Sequence, residues 1–156
     1  MHFSTKLEGG VEIRRAVEAD LIPLIELLAE MHEDDDSVPS AERAESTFRR
    51  IDSSDCRLIL VAVVEGALVG TLDLFVMPNL TRGARPWAGV ENIVVAASHR
   101  QRGIARSLLN TAIELARSAH CYKIQLVSHA RRDAAHHLYE NVGFDAPVRG
   151  YRRYLH

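Results

Sequence analysis

Val90-Glu91-Asn92-Ile93-Val94-Val95, followed shortly by Ser98-His99-Arg100-Gln101-Arg102-Gly103-Ile104-Ala105, is the stretch from which the fold can be read. The first six residues have the apolar, β-branched character of a strand. From about Gly103 onward, Ile104, Leu108, Ala112, Leu115 and Ala119 recur on one stripe of a helix. The junction between the two is chemically informative. A helix start leaves backbone N–H groups without partners, and its aligned peptide dipoles favour an anion. Gly103 lacks a Cβ and Ala105 has the smallest one, so a ligand can approach the backbone closely. Acids are favoured in a first helical turn, yet Arg100, Arg102 and Arg106 crowd this one, and no Asp or Glu occurs between Glu91 and Glu114. A bound phosphate resolves that mismatch. A loop of solvated arginines with a packing glycine is the other reading that charge and spacing leave open.

Toward the N-terminus, residues 11–17 alternate apolar and polar side chains as a half-buried strand does. Leu21, Leu24, Ile25, Leu28 and Met31 then place a helix over 18–31, with Glu18 and Asp20 suited to its start. Pro39-Ser40 opens a second amphipathic segment through Ile51. Residues 58–65 and 68–77 read as an antiparallel hairpin about Glu65-Gly66-Ala67, where Gly66 supplies the positive φ of a tight turn. A Pro- and Gly-bearing loop over 78–86 leads back to the deciding strand. Beyond the long helix, 123–127 reads as a strand and 133–142 as a helix with Asp133 near its N-cap and Gly143 at its end. A final strand is expected over 151–155. This order predicts an α/β (α+β) domain with a mixed, mostly antiparallel central sheet and helices on both faces.

The chain has 156 residues, the size of one domain, with 47% apolar and 26% charged side chains. Nineteen basic against 21 acidic residues leave no basic surplus for a nucleic acid or an anionic membrane, so neither is expected as a partner. The longest purely apolar run, 58–64, is far short of a membrane span, and residues 1–10 lack a secretory apolar stretch, so a cytosolic protein is expected. Cys56 and Cys121 show no metal-ligand spacing, and packed, reduced thiols are the expectation.

Arg100-Gln101-Arg102-Gly103-Ile104-Ala105 resembles the acyl-CoA-binding signature of the GNAT N-acetyltransferases: Arg or Gln, two variable residues, Gly, one variable residue, then Gly or Ala. About 35 residues downstream, Ala135-His136-His137-Leu138-Tyr139-Glu140-Asn141-Val142-Gly143-Phe144 resembles the family's second landmark, Ala, then Tyr, then Gly-Phe. The order of elements is similar over essentially the whole chain, and the residue detail mainly over 90–144. Within the family, 90–95 and His120-Cys121-Tyr122-Lys123-Ile124 are similar to glucosamine-6-phosphate N-acetyltransferases. Neither a Walker phosphate loop nor a GxGxxG dinucleotide fingerprint occurs.

The resemblance implies acetyl-CoA as co-substrate, with its pantetheine against Ile93, Val94 and Val95 and its pyrophosphate cradled by Gln101, Arg102, Gly103, Ile104, Ala105 and Arg106 behind Arg100. It implies Tyr139 as the acid that protonates the departing thiolate, against the alternative of a tyrosine that merely packs. Glu91, the only acid of its strand, is the candidate base, against a strand-edge salt bridge. By simple alternation it shares a face with Ile93 and Val95. A backbone N–H near Val94 or Val95 is the candidate oxyanion donor.

The expected acceptor is a small-molecule amine, an amino sugar first, with protein or peptide amines and a non-catalytic CoA sensor as alternatives. A homodimer is expected by family analogy alone. Many family members carry Asn where this chain has Arg132, which removes any inherited role for that position. His129, Asp133, His136 and His137 lack diagnostic metal spacing and read as a solvated helix. The acidic run 33–36 is a candidate for steering a cationic amine, or a solvated loop. Trp87 and Phe75 line the acceptor cleft or fill the core.

Overall fold

A computed structural model describes residues 4–6, 9–31 and 38–155. Strands β1 (Ser4–Lys6), β2 (Val11–Arg15), β3 (Arg57–Val64), β4 (Ala67–Met77), β5 (Trp87–Val95) and β6 (Ile124–Leu126) form a single sheet in sequence order. Every neighbouring pair is antiparallel except β5 and β6, which are parallel and joined by a helical crossover. The predicted hairpin is present, with both Glu65 and Gly66 in the left-handed region that a two-residue turn requires.

Four helices flank the sheet: α1 (Leu21–Ala29), α2 (Ala41–Asp52), α3 (Ile104–Ser118) and α4 (Asp133–Asn141). Helix α1 is shorter than the apolar pattern predicts, because Glu18–Asp20 wind as a separate 3-10 turn. There Asp20 accepts from the Val17 amide at 2.8 Å and from both terminal nitrogens of Arg14 at 2.6 and 2.8 Å. Ser40 caps α2, its hydroxyl accepting from the Arg43 amide. Leu24 of α1 and Phe48 of α2 pack with Ile59, Val61 and Val63 on one face of β3. Leu60, Ala62, Leu72, Leu74 and Val90 point to the other face, where Ile104, Leu108, Leu109 and Ala112 of α3 and Tyr139 of α4 complete the larger core.

Two expectations need correction. Residues 4–6, to which the sequence pattern assigns no element, form β1, whose side chains are all exposed and which rests on backbone pairing to β2 and a Ser4–Glu12 hydrogen bond of 2.6 Å. Residues 151–155 form no strand. Their Tyr-Arg-Arg-Tyr-Leu pattern places two adjacent arginines where alternation needs one apolar side chain, so neither face can be buried. The helix over 133–142 holds as Asp133–Asn141, and Asp133 lies near the N-cap as expected, in the first turn directly after Arg132.

Candidate active site

The site begins at an irregularity in β5. Glu91 pairs with Asp73 and Val94 with Thr71, so β5 carries one residue more than β4 over the same span. That extra residue is a β-bulge, and Asn92 takes it up with φ +52°. Pairing with β6 runs only from Ala88↔Ile124 to Val90↔Leu126 and stops just before the bulge. Beyond Val90, β5 therefore has no strand opposite it on that side among the described residues. Past Val90 the two parallel strands are no longer paired, and the β5 edge over 91–95 is open backbone on that side among the described residues.

The bulge corrects the simple alternation. Ile93 and Val95 pack on the α3–α4 face, whereas Glu91 lies opposite Asp73, whose neighbours Leu72 and Leu74 both point to that face. Glu91 consequently belongs to the α1–α2 face. One inserted residue in a period-two structure reverses every side chain beyond it.

Asn92 is anchored. Its amide donates to Asp73 Oδ2 at 3.1 Å, and the same oxygen receives the Arg57 guanidinium. Asp73 is 3% exposed, and burial pushes its carboxyl above the ordinary value although Arg57 and Asn92 pull the other way. Arg57 also lies over the Phe75 ring, 5.0 Å from its centroid. Phe75 therefore packs under this pair. Nothing in the sequence reading singled out Asp73. The available signal was one acid within an otherwise apolar eleven-residue strand, which a half-buried face tolerates only when the charge has partners.

At the other end of the cleft, β5 leads through a 3-10 turn (Ala97–His99) to α3. Gln101 and Gly103 adopt φ +61° and +78°, and Gly103 is the N-cap of α3. No side chain caps this helix and no acid stands in its first turn. Arg102 and Arg106 are exposed and have no ion-pair partner among the described residues. Ile104 is buried and Ala105 half-buried behind them. Arg100 is placed differently: its Nε donates to the Val95 carbonyl at 3.1 Å, and its guanidinium lies 3.6 Å from Glu30 at the end of α1. Glu30 also accepts the Ala97 amide at 3.1 Å. The Arg100 side chain is thus a strut between β5 and α1, and only its backbone belongs to the loop.

Tyr139 reaches the cleft from α4. It is buried, with its ring edge-on to Phe144 at a centroid separation of 6.2 Å. Burial pushes the phenol above its ordinary value; Arg132 and Ser128 pull it down, and Glu91 pushes it up. Glu91 is therefore close enough to act on Tyr139 electrostatically, although the two residues belong to opposite faces of the sheet. An acid on one side and a carboxylate on the other flank the gap where β5 and β6 separate. Such an arrangement can remove a proton from one reactant and deliver one to another.

The other candidates sort as follows. His136 Nε2 lies 3.1 Å from the His129 carbonyl, and His137 lies 3.8 Å from Glu140. Among the described residues, no group of three His, Cys, Asp or Glu is arranged to hold a metal. Trp87 is half-buried, with Lys123 against its ring. The acidic run 33–36 lies outside the described residues.

Comparison with known proteins gives the family and the fold. Residues 23–144 match the family described as Acetyltransferase (GNAT) family. A glucosamine 6-phosphate N-acetyltransferase of Trypanosoma brucei brucei is 30% identical over 142 residues, which make up 91% of this chain and 94% of that protein. A solved structure from Agrobacterium tumefaciens str. C58 is 35% identical and superposes with a TM-score of 0.87 over 92% of this chain and 99% of its own. The glucosamine-6-phosphate N-acetyltransferase of Arabidopsis thaliana, at 22% identity, shares the fold with a TM-score of 0.82 over 94% of this chain and 99% of its own.

Proposed function

The chain belongs to the GNAT family of acetyltransferases and is an N-acetyltransferase; from that premise we propose that it moves an acetyl group from acetyl-CoA to the primary amine of a small molecule. The observation that carries this reading is the parting of β5 and β6 at the Asn92 bulge, with Tyr139 on one face and Glu91 on the other. The donor's pyrophosphate sits on the uncapped amides at the start of α3, where Arg102 and Arg106 add exposed positive charge. Its pantetheine runs along the open edge of Ile93, Val94 and Val95 and pairs with strand backbone.

The acceptor enters from the α1–α2 face. Glu91 takes a proton from its ammonium, directly or through water, and frees the nitrogen lone pair for attack on the thioester carbonyl. A backbone N–H near Val94 or Val95 stabilises the tetrahedral oxyanion. Collapse breaks the carbon–sulfur bond, Tyr139 donates its proton to the leaving thiolate, and the nitrogen sheds its second proton to water to give the neutral amide. A phenol is protonated at neutral pH, as an acid must be, and burial only reinforces that state.

An amino sugar is the acceptor class first in line. The support is the glucosamine 6-phosphate N-acetyltransferase that matches nearly the full chain. The test is release of free thiol from acetyl-CoA on adding a panel of amino sugars, their phosphates, aminoglycosides and peptide amines. Amine-dependent release with an amino sugar is the expected result, and binding of acetyl-CoA without release across the panel would leave a CoA sensor. Sedimentation of the same preparation checks the expected homodimer.

A further inference from the structure

One hydroxyl of the cleft has no part in the chemistry above. Ser128 follows the last paired residue of β6 by two positions. Leu126 is half-buried, Val127 is exposed and Ser128 turns inward again. This alternation places Ser128 on the face that Leu126 shares with Val90 and Tyr139. Its Oγ is fully buried and has no hydrogen-bond partner among the described residues. A buried hydroxyl left unpaired is costly and calls for an explanation. Ser128 also stands close enough to the Tyr139 phenol to lower its pKa through a hydrogen-bonding contact that is not fully formed in this state.

We propose that Ser128 is a positioning residue whose Oγ–H donates to the Tyr139 oxygen when that oxygen becomes a phenolate, so that the pair acts as one proton-delivery unit. The inference rests on the acid role proposed for Tyr139. In the step concerned, the Tyr139 O–H bond breaks as the S–H bond of the product thiol forms. The negative charge left on the phenolate oxygen is then held by the Ser128 hydroxyl, and the phenol is reprotonated from water after product leaves. The unpaired hydroxyl of the resting state is a donor held ready for a charge that exists only during turnover. The charged groups that act on Tyr139 are Arg132, ahead of α4, and Glu91, on β5; Arg132 works with Ser128 and Glu91 against it.

Two measurements test this. The first needs no enzymatic activity: a fluorotyrosine placed at position 139, whose acidified phenol titrates where the fold is intact, is followed by absorbance. Ser128→Ala should move its titration to higher pH, and Ser128→Thr should restore it. The second is kinetic. Ser128→Ala should lower kcat about tenfold or more, the size of a hydrogen bond to a charged group, without changing KM for acetyl-CoA. In a Tyr139→Phe background the same change should have no further effect. An unmoved titration, or an equal loss of kcat in the Tyr139→Phe background, overturns the proposal. A shifted titration in a protein that releases no thiol upholds the contact and places the failure with the proposed reaction.

Discussion

Gly103→Trp separates folding from donor binding, because the structure gives the two costs different sizes. Gly103 sits at φ +78° and ψ 1°, and a Cβ built on it meets nothing within 4 Å. The penalty in the protein is therefore mainly conformational, about 1–2 kcal/mol for an L-residue in the left-handed region. For a domain of this size that is a fall in Tm of about 2–8 °C, which a fold stable by about 5–15 kcal/mol survives. The open space that spares the fold is where the donor's pyrophosphate must approach the first amides of α3. Losing two charge-assisted hydrogen bonds there, at about 1.5–3 kcal/mol each, weakens binding by roughly 10²- to 10⁴-fold. Gly103→Ala pays the same backbone cost with only a methyl group and should stay much closer to wild type in affinity. Calorimetric titration with acetyl-CoA, beside thermal melts of all three proteins, makes the comparison. A folded Gly103→Trp protein with wild-type affinity would remove the phosphate site from this loop.

Tyr139→Phe keeps the edge-on contact with Phe144 and should leave Tm nearly unchanged; single-turnover rates should fall about 10²- to 10⁴-fold while acetyl-CoA affinity holds, and unchanged rates would end its acid role. Asp73→Ala strips Arg57 and Asn92 of their shared acceptor, so a loss of about 2–4 kcal/mol is expected in the denaturant midpoint, together with reduced kcat as the bulge loosens. A wild-type midpoint would show that the trio does not hold the bulge. Burial raises the Asp20 carboxyl, but hydrogen bonds from Arg14 and Val17 more than offset this and hold it below its ordinary value. Its contribution is therefore complete above the unfolded pKa of about 4 and is lost as pH falls through the lower folded value. Asp20→Asn should cost about 1–3 kcal/mol at pH 7, and its deficit should shrink below pH 4; a deficit independent of pH contradicts the ion pair. At the alkaline end Tyr139 acts with the opposite sign. Its folded pKa is raised, so the stability it contributes is present below about pH 10 and declines as pH climbs toward the folded value, a slope that Tyr139→Phe should flatten.

What could be read beforehand had a strong local cause. The hairpin follows from two β-rich runs about Glu65-Gly66, and α3 follows from a regular stripe that buries Ile104, Leu108 and Ala112. The anion-prone start of α3 was legible because its arginines contradict the usual first-turn preference. Strand β1 was not legible, since it buries no side chain and so writes no pattern into the sequence. The bulge escaped for a related reason. Asn92 interrupts an apolar run with a residue that tolerates left-handed backbone, but alternation was carried straight through it, and Glu91 was assigned to the wrong face. Asp73 and Ser128 matter through partners sixteen to nineteen and eleven residues away, Arg57 and Asn92 for one and Tyr139 for the other. Only the folded sheet brings those partners together.

The bulge also determines what kind of genetic change this strand can bear. Conservative exchange of Ile93 or Val95 leaves each side chain on its own face. Deletion of the Asn92 codon removes the bulge yet leaves Glu91 opposite Asp73 and Val94 opposite Thr71, so every side chain keeps its face and only the Asn92 anchor on Asp73 is lost. A replacement of Asn92 that flattens the bulge without removing a residue does the opposite: the ladder slips by one, and either Glu91 or the Ile93 and Val95 pair must change sides. Loss of the bulge at constant length, rather than loss of the residue, is the change to which this strand is most exposed.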